Sequence, residues 1–477
     1  MKVDSNTYQA YKLMHDGVLA LARAEEQGLR LDLDALERKK QFLTNKIERL
    51  ENEFKESSFF RKWQKSSSKR INIYSGDQLA TYLYEVKGIK IEKETDSGKG
   101  STDNDAITQM NIPELNDLLR AKKLMKVRDT YLAEFEREQV DGYIHPFFNL
   151  HIARTYRSSS NSPNFQNIPI RDEESMKICR GVLYPRPGHQ LLEIDFKGIE
   201  VAINACYNKD KTLIKYVSNP ASDMHADMAK QIFIVDKFDK KIPEHYILRQ
   251  AAKNGFVFAQ FYGDYYKNCA VNVLCNWGKL GQGKFKPGEG IPMPQGTLSD
   301  HLISKGIKEF GESKKVGGKY ITTGFLKHLQ DIETDFWGSR FPEYAEWKES
   351  WYLDYRKKGY IDLLTGFRCS GVMSKNQVIN TPGQGTAFHC LLWSLIEADR
   401  IMLLQKWDTK IVSQIHDSII LDVHPEELQH VAKWLNNITT HRLAQHYPWI
   451  IVPMQVDYDY CEVDEPWSKK KKFTLNA

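Results

Sequence analysis

Asp195 and Asp417 each stand at the end of an apolar run that reads as a β-strand, and two carboxylates so placed can do chemistry together. The first run, His-Gln-Leu-Leu-Glu-Ile from His189, reaches Asp195 and passes into Phe196-Lys197-Gly198-Ile199-Glu200. The second, Lys-Ile-Val-Ser-Gln-Ile from Lys410, reaches His416-Asp417-Ser418 and continues as Ile419-Ile420-Leu421-Asp422-Val423. Apolar runs on both sides of a His-Asp turn predict a β-hairpin with a carboxylate at its tip. Carboxylates at the ends of neighbouring strands can hold two Mg²⁺ ions, which bind oxygen ligands and substrate phosphates together. A lone Asp in such a place is by default a turn or cap residue. The weight therefore rests on the pair and on what lies between its members.

Between them lies Arg249-Gln250-Ala251-Ala252-Lys253, followed by an aromatic run to Phe261-Tyr262-Gly263. Arg249 and Lys253 are four apart, so on a helix both cations point the same way. Such a face suits a triphosphate, because Arg grips phosphate bidentately and Lys supplies a point charge. A solvated basic face is the ordinary fate of this spacing. The aromatics that follow give the helix apolar surface to bury, and that argues for an internal face.

These three segments resemble motifs A, B and C of the family A DNA polymerases, the relatives of bacterial DNA polymerase I. The likeness extends over nearly the whole chain. Gly28-Leu29-Arg30-Leu31-Asp32 with Leu36 resembles the start of the family's thumb, and Lys126-Val127-Arg128-Asp129-Thr130-Tyr131 its Lys-rich thumb signature. Thr155-Tyr156-Arg157-Ser158-Ser159 and Pro163-Asn164-Phe165-Gln166-Asn167-Ile168-Pro169 resemble the stretch that grips primer–template DNA. Asn380-Thr381-Pro382-Gly383-Gln384-Gly385-Thr386 is similar to a further palm motif. The order and number of these matches carry the signal; any one alone would be weak.

The resemblance implies a mixed α+β, right-hand fold with an antiparallel palm sheet, and a DNA-templated DNA polymerase of the nucleotidyltransferase class. By it, Asp195 and Asp417 are catalytic and hold two Mg²⁺ ions, with the Phe196 carbonyl as a further ligand and Lys253 as a catalytic cation. Arg171, His225, Arg249 and Lys253 fall on triphosphate-contacting positions. Glu200 falls on the position that excludes a ribose 2′-hydroxyl. Arg157, Asn164, Gln166, Asn380 and Gln384 match positions that test the minor groove near the primer terminus, where acceptors vary little with base pair. His416 lies against the primer end, and Arg128 is a DNA contact of the thumb. The implied partners are primer–template DNA and deoxynucleoside triphosphates. A separate exonuclease, helicase–primase or processivity partner is left open.

Four departures from the family pattern stand out. Ser418 replaces the Glu that commonly follows the motif C Asp, Ala202 a common Arg of motif A, and Asn376 a basic minor-groove residue. Motif B holds one extra residue between Lys253 and Tyr262. Counting forward from Lys253 puts Val257 beneath the nucleotide sugar and Phe261 at the stacking position. Counting back from Tyr262-Gly263 puts Phe258 and Tyr262 there instead. A π-bulge would absorb the extra residue, and Tyr262 is the expected stacking residue.

The 477 residues are 41% hydrophobic and 27% charged, with a net charge of only +5, so whole-chain basicity announces no nucleic-acid partner. Local clusters do more: Arg61-Lys62, Lys65, Lys69-Arg70, and then Lys122-Lys123, Lys126 and Arg128 suit phosphate contacts. Seven cysteines without CxxC pairs suggest neither zinc nor a disulfide framework and fit a reducing compartment. No run is long enough to cross a bilayer and the polar start is no signal peptide, so the expectation is a soluble protein of the cytoplasm of a bacterial or phage-infected bacterial cell, with an organelle left open. Val18 to Glu56 predicts one or two long helices, and Asp32-Leu33-Asp34 reads as a helix cap. The expected organisation is a helical thumb over 1–150, palm over 151–214 and 376–477, and helical fingers over 215–375. Gly359-Tyr360 with Gly366-Phe367-Arg368 predicts a hairpin returning to the palm. Within the fingers, a Gly- and Lys-rich insert at about 276–324 exceeds the family's usual connection, and its composition predicts a structureless, mobile surface excursion. The thumb begins almost at Met1 with no preceding carboxylate cluster, so no proofreading activity is expected in this chain.

Two other readings compete. A single-subunit RNA polymerase shares the two Asp residues and the motif B cations, but Glu200 and the Asn164-to-Pro169 segment argue against it. A catalytically dead, polymerase-like DNA-binding scaffold would not require Asp195, Asp417, Arg249 and Lys253 together.

Overall fold

A computed structural model describes residues 6–475 except 92, 93, 96, 97, 111, 171, 240, 275, 276, 278, 279, 281, 282 and 318. Arg171, Cys275 and, within the insert, Lys279, Gly281 and Gly318 therefore lie outside the described residues. The chain forms two compact units. One comprises Met1–Thr44, Leu124–Pro220 and Glu343–Ala477; the other comprises Asn45–Lys123 and Ala221–Pro342.

The first unit is built on a five-stranded antiparallel sheet. Its strands are β1 (Gln190–Phe196), β2 (Lys410–Ile415), β3 (Ser418–Val423), β4 (Val456–Tyr460) and β5 (Lys471–Lys472), in spatial order β2-β3-β1-β4-β5. The apolar runs around Asp195 and Asp417 are thus strands, and β2–β3 is the expected hairpin. β3 is buried along its whole length and β1 nearly so, which explains why both read as continuous apolar runs without alternation. The second expected hairpin also forms, from Tyr360–Asp362 and Arg368–Ser370.

Helices α1 (Thr7–Gln27) and α2 (Leu33–Glu56) open the chain. Gly28 takes a positive φ of 62° between them, and Asp32 Oδ1 accepts the Ala35 amide at 2.8 Å, the cap expected of it. In the first unit α3 (Ile199–Asn208) leaves β1, and α9 (Lys375–Gln405) packs against α1 and α3. The second unit holds α4 (Met224–Phe233), α5 (Pro243–Ala252), α6 (Tyr266–Leu274), α7 (Leu298–Ser304) and α8 (Gly324–Asp335). Among the described residues no helix is long and apolar enough to cross a membrane.

The Thr-Pro-Gly-Gln-Gly-Thr stretch lies inside α9, and packing explains its composition. A Cβ on Gly383 would meet the Asn204 side chain at 2.6 Å, and one on Gly385 would meet the Thr155 carbonyl at 2.8 Å. Glycine is required there for close approach rather than for a turn. Pro382 removes the helical hydrogen bond to the Val378 carbonyl, and the Trp351 indole N–H donates to that carbonyl at 3.2 Å instead.

The insert is not structureless. Its described part contains α7, whose Leu298 and Leu302 are fully buried, and a hairpin of Ser313–Val316 with Lys319–Thr322. His301 on α7 bonds the Phe233 and Ile234 carbonyls (2.9 and 3.2 Å), while His328 on α8 bonds those of Gln231 and Ile232 (both 3.1 Å). Two imidazoles therefore serve the last three carbonyls of α4 and that of its C-cap Ile234, which a helix end otherwise leaves without partners. The Gly- and Lys-rich composition was a poor guide, because the order comes from acceptors more than forty residues away in sequence.

His389 on α9 supplies a pH-dependent term. Its ring stacks on Phe367 at 4.0 Å, its Nδ1 lies 2.6 Å from the Thr365 hydroxyl, and complete burial pushes its pKa down to about 3. The folded value lies below the unfolded one of about 6.5, so the unfolded chain takes up the proton first. Stability from this group is full above about pH 6.5 and falls as the pH drops, by roughly 2 kcal/mol between pH 7.5 and pH 5. His389→Gln should be less stable than the parent at pH 7.5 and show a shallower acid loss. Parallel urea-unfolding slopes for the two proteins over this range would contradict the assignment.

Candidate active site

β1 delivers Asp195 to the middle of the sheet. Its Cα partner is Ser418 on β3 and, on the other side, Asp457 on β4. Asp417 occupies the β2–β3 turn one residue before Ser418, and the Phe196 amide donates to its carbonyl at 3.1 Å. Register thus brings the two carboxyls together, close enough for each to perturb the other. Burial raises the pKa of both, and for Asp195 the neighbouring Asp417 raises it further. Two half-buried acids so close resist ionising together without a cation, and they are the donor set a divalent metal fits. Among the described residues no group of three or more His, Cys, Asp or Glu side chains is poised for a metal. Ligation by this pair would leave positions open for water and phosphate oxygens. Ser418, where a third carboxylate is common, donates its hydroxyl to the Ile415 carbonyl at 2.9 Å and closes the turn.

The turn itself is strained. His416 adopts φ 50°, a region sparsely used by residues other than Gly, Asn and Asp. Gln414, which the sequence did not single out, holds it. Gln414 is 1% exposed; its Nε2 donates to the His416 carbonyl at 2.7 Å, and its Oε1 accepts from Ser158 Oγ at 2.6 Å. Gln166 Nε2 donates to the same Ser158 hydroxyl at 2.7 Å, and the His416 ring bonds the Gln166 backbone. Burial lowers the His416 pKa, and the Arg157 guanidinium lowers it further. Asn164 Oδ1 accepts from Ser160 Oγ at 3.2 Å at the start of the short helix carrying Gln166. Glu200 sits in the first turn of α3 with Arg157 Nη1 3.5 Å from its carboxylate. Asp195, Phe196, Arg157, Gln166, Glu200, His416 and Asp417 thus form one cluster in the first unit.

Asn380 and Gln384 are half-buried and one turn apart on α9. Arg128 bonds Asp129 at 2.7 Å and the Thr44 hydroxyl at 3.1 Å, and neither partner belongs to the carboxylate cluster.

In the second unit, Asp223 caps α4 and also accepts from Arg249 Nε (3.1 and 2.9 Å), a carboxylate partner that the sequence reading missed. His225 lies between the cations: burial first, then Arg249 and Lys253, push its pKa down to about 4, and its Nδ1 has no hydrogen-bond partner. A neutral imidazole beside two cations suits an anionic ligand. After α5 the helix widens into a π turn at Lys253–Val257, which absorbs the extra residue of motif B. Val257 and Phe261 are buried, whereas Phe258 packs edge-on to His225 at 5.6 Å with Lys253 Nζ 5.3 Å from its ring. Tyr262 is 38% exposed and 6.3 Å from Phe258. The aromatics on the cation-bearing face are those given by counting back from Gly263.

Comparison with known proteins agrees with this geometry. A family model described as DNA polymerase family A matches residues 34–275 and 333–466, passing over the segment that contains the insert. DNA polymerase I of Lactococcus lactis subsp. lactis (strain IL1403) is 26% identical over 422 residues, covering 85% of this chain and 41% of the relative. DNA polymerase I of Bacillus subtilis (strain 168) is 25% identical over 448 residues, covering 92% of this chain and 44% of the relative. The chain thus spans less than half the length of these curated relatives. A solved structure, the POL domain of Pol1 from M. smegmatis in complex with DNA primer-template and dNTP, superposes with a TM-score of 0.72 at 22% identity. That match covers 96% of this chain and 70% of the other, and it shows the expected mixed fold with its antiparallel sheet. Both the carboxylate-bearing strands and the Arg-Lys helix lie within the matched residues, and the chain belongs to DNA polymerase family A.

Proposed function

We propose that this chain extends a primer 3′ end with deoxynucleotides under the direction of a DNA template. The observation that carries this reading is the pair of half-buried carboxyls of Asp195 and Asp417, brought together at adjoining strand ends by the register of the sheet. Two Mg²⁺ ions held by Asp195, Asp417 and the Phe196 carbonyl would lower the pKa of the primer hydroxyl and neutralise the triphosphate. Everything else is positioning, on which phosphoryl transfer chiefly depends. Arg249, Lys253, Arg171 and His225 bind the triphosphate, and Tyr262 stacks at the templating pair. Arg157, Asn164, Gln166, Asn380 and Gln384 contact the minor groove; His416 contacts the primer end, and Arg128 the duplex. In this assignment 1–150 is the thumb, 151–214 with 376–477 the palm, and 215–375 the fingers.

The test is primer extension with Mg²⁺ and either deoxy- or ribonucleotides. Extension with deoxynucleotides supports the reading. Tight DNA binding without extension would make the chain a scaffold, and a preference for ribonucleotides would make it an RNA polymerase.

Glu200 gives a finer test. A carboxylate beneath the sugar leaves no room for a 2′-hydroxyl, and small steric differences of this kind are worth about 10- to 200-fold in discrimination. Glu200→Ala should lose discrimination of that order in competitive single-nucleotide assays, while Glu200→Gln, similar in size, should keep most of it. Unchanged discrimination in Glu200→Ala would assign the gate to another residue.

A further inference from the structure

The insert hairpin presents a combination that the polymerase reading does not use. Tyr320 is 67% exposed, Lys315 is its cross-strand partner, and Lys267 Nζ of α6 lies 5.5 Å from its ring centroid. Residues directly opposite on antiparallel strands share a face. An open aromatic ring is therefore flanked by two ammonium groups. Ile321, 53% exposed, faces the other side opposite Lys314, which pairs with Glu312 at 2.5 Å. Residues 276–324 carry eight lysines against four acidic residues, so this short segment holds +4 of the chain's net +5.

A two-stranded hairpin is marginal alone, but this one is locked at its base. The Thr323 amide donates to the Glu312 carbonyl (3.0 Å), the Phe325 amide to that of Glu309 (2.9 Å) and the Leu326 amide to that of Phe310 (2.9 Å). Gly311 and Gly324 cross at the same place with φ of 84° and 59°, and a Cβ on either would collide with backbone. The exposed face is held rigidly, which lowers the entropic cost of binding. A solvated basic hairpin would need neither the tyrosine nor the anchoring. Aromatic platforms with adjacent cations bind unpaired bases by stacking and their phosphates by charge.

We propose that this hairpin is a binding surface for single-stranded DNA, with Tyr320 as the stacking platform and Lys267 and Lys315 as phosphate contacts. The hairpin with Lys315 and Tyr320 lies outside the segments matched by the family model, although Lys267 lies within them; the test needs no catalysis, so it stands or falls separately from the polymerase reading.

The experiment measures binding of a fluorescent oligothymidylate and of a blunt duplex to the full chain, with melting temperatures as a check on folding. Tyr320→Ala should weaken oligothymidylate binding about five- to tenfold and leave the duplex unchanged, while Tyr320→Phe stays within about twofold. Lys267→Ala/Lys315→Ala should reduce the salt slope for the single strand by about 1.4. An oligonucleotide containing 5-iodouracil should photo-crosslink at Tyr320. Parent-like binding in both variants without that crosslink would overturn the proposal. So would an equal loss for single strand and duplex, which would mark a general phosphate contact.

Discussion

Asp195→Asn and Asp417→Asn should each slow single-nucleotide addition by on the order of 10³-fold, while primer–template affinity stays within about threefold. A metal clamp contributes several kcal/mol of charge stabilisation in phosphoryl transfer, and about 1.4 kcal/mol is a factor of ten. Duplex binding comes mainly from phosphate contacts elsewhere, which neither substitution touches. The amide keeps the carboxylate's size, and in the metal-free protein it relieves the opposition between two neighbouring, half-buried acids. Each variant should therefore melt at or above the parent temperature, which separates loss of chemistry from loss of fold. Rapid-quench addition rates beside equilibrium binding would decide it. Robust extension by either variant would sink the metal assignment.

Glu193→Ala should destabilise the first unit by about 3–5 kcal/mol, the cost of removing one partner from a buried ion pair. Glu193 is buried on β1 two residues before Asp195; it accepts from the Trp467 indole at 3.0 Å and from Lys470 Nζ at 2.9 Å. Arg180 Nη1 lies 3.9 Å away, and its guanidinium, 2% exposed, lies over the Trp467 ring at 3.9 Å. Burial already lowers the Arg180 pKa, and the Glu193 carboxylate is what most opposes that shift. Truncation leaves the buried Arg180 cation without its counter-charge and the Trp467 indole N–H without its acceptor. Glu193→Gln, which can still accept from Trp467, should fall between the two in urea unfolding. A loss below about 1 kcal/mol for Glu193→Ala would mean that water reaches the cluster and replaces the carboxylate.

The strands bearing Asp195 and Asp417 were legible because buried central strands appear as unbroken apolar runs between polar turns. The cap at Asp32 was legible for an equally local reason, since a side chain three residues ahead of an amide needs no tertiary context. The additional residue of motif B was found by counting, and counting alone proposed the π turn that the structure contains. What escaped was long-range pairing. Gln414 reads as one polar residue in an apolar strand; its importance depends on Ser158, 256 positions away in sequence. Arg249 reads as a free phosphate grip, yet it is held by the residue that caps another helix. The insert was misjudged because glycine and lysine content reports local freedom and says nothing about distant carbonyls awaiting donors.

The π turn at Lys253–Val257 has a consequence for how this helix relates to its counterparts. Each added residue rotates everything downstream on an α-helix by about 100°. Had the helix stayed regular, Val257 and Phe261 would face the cations, and the rings of Phe258 and Tyr262 would turn toward the interior. Widening one turn resets the phase, so the outward aromatics keep their bearing although the chain has gained a residue. Equivalent positions on the two sides of the turn therefore carry different sequence offsets. An alignment that places its gap after this helix will pair Phe258 and Tyr262 with the wrong neighbours, and one that places it before will mispair Arg249 and Lys253.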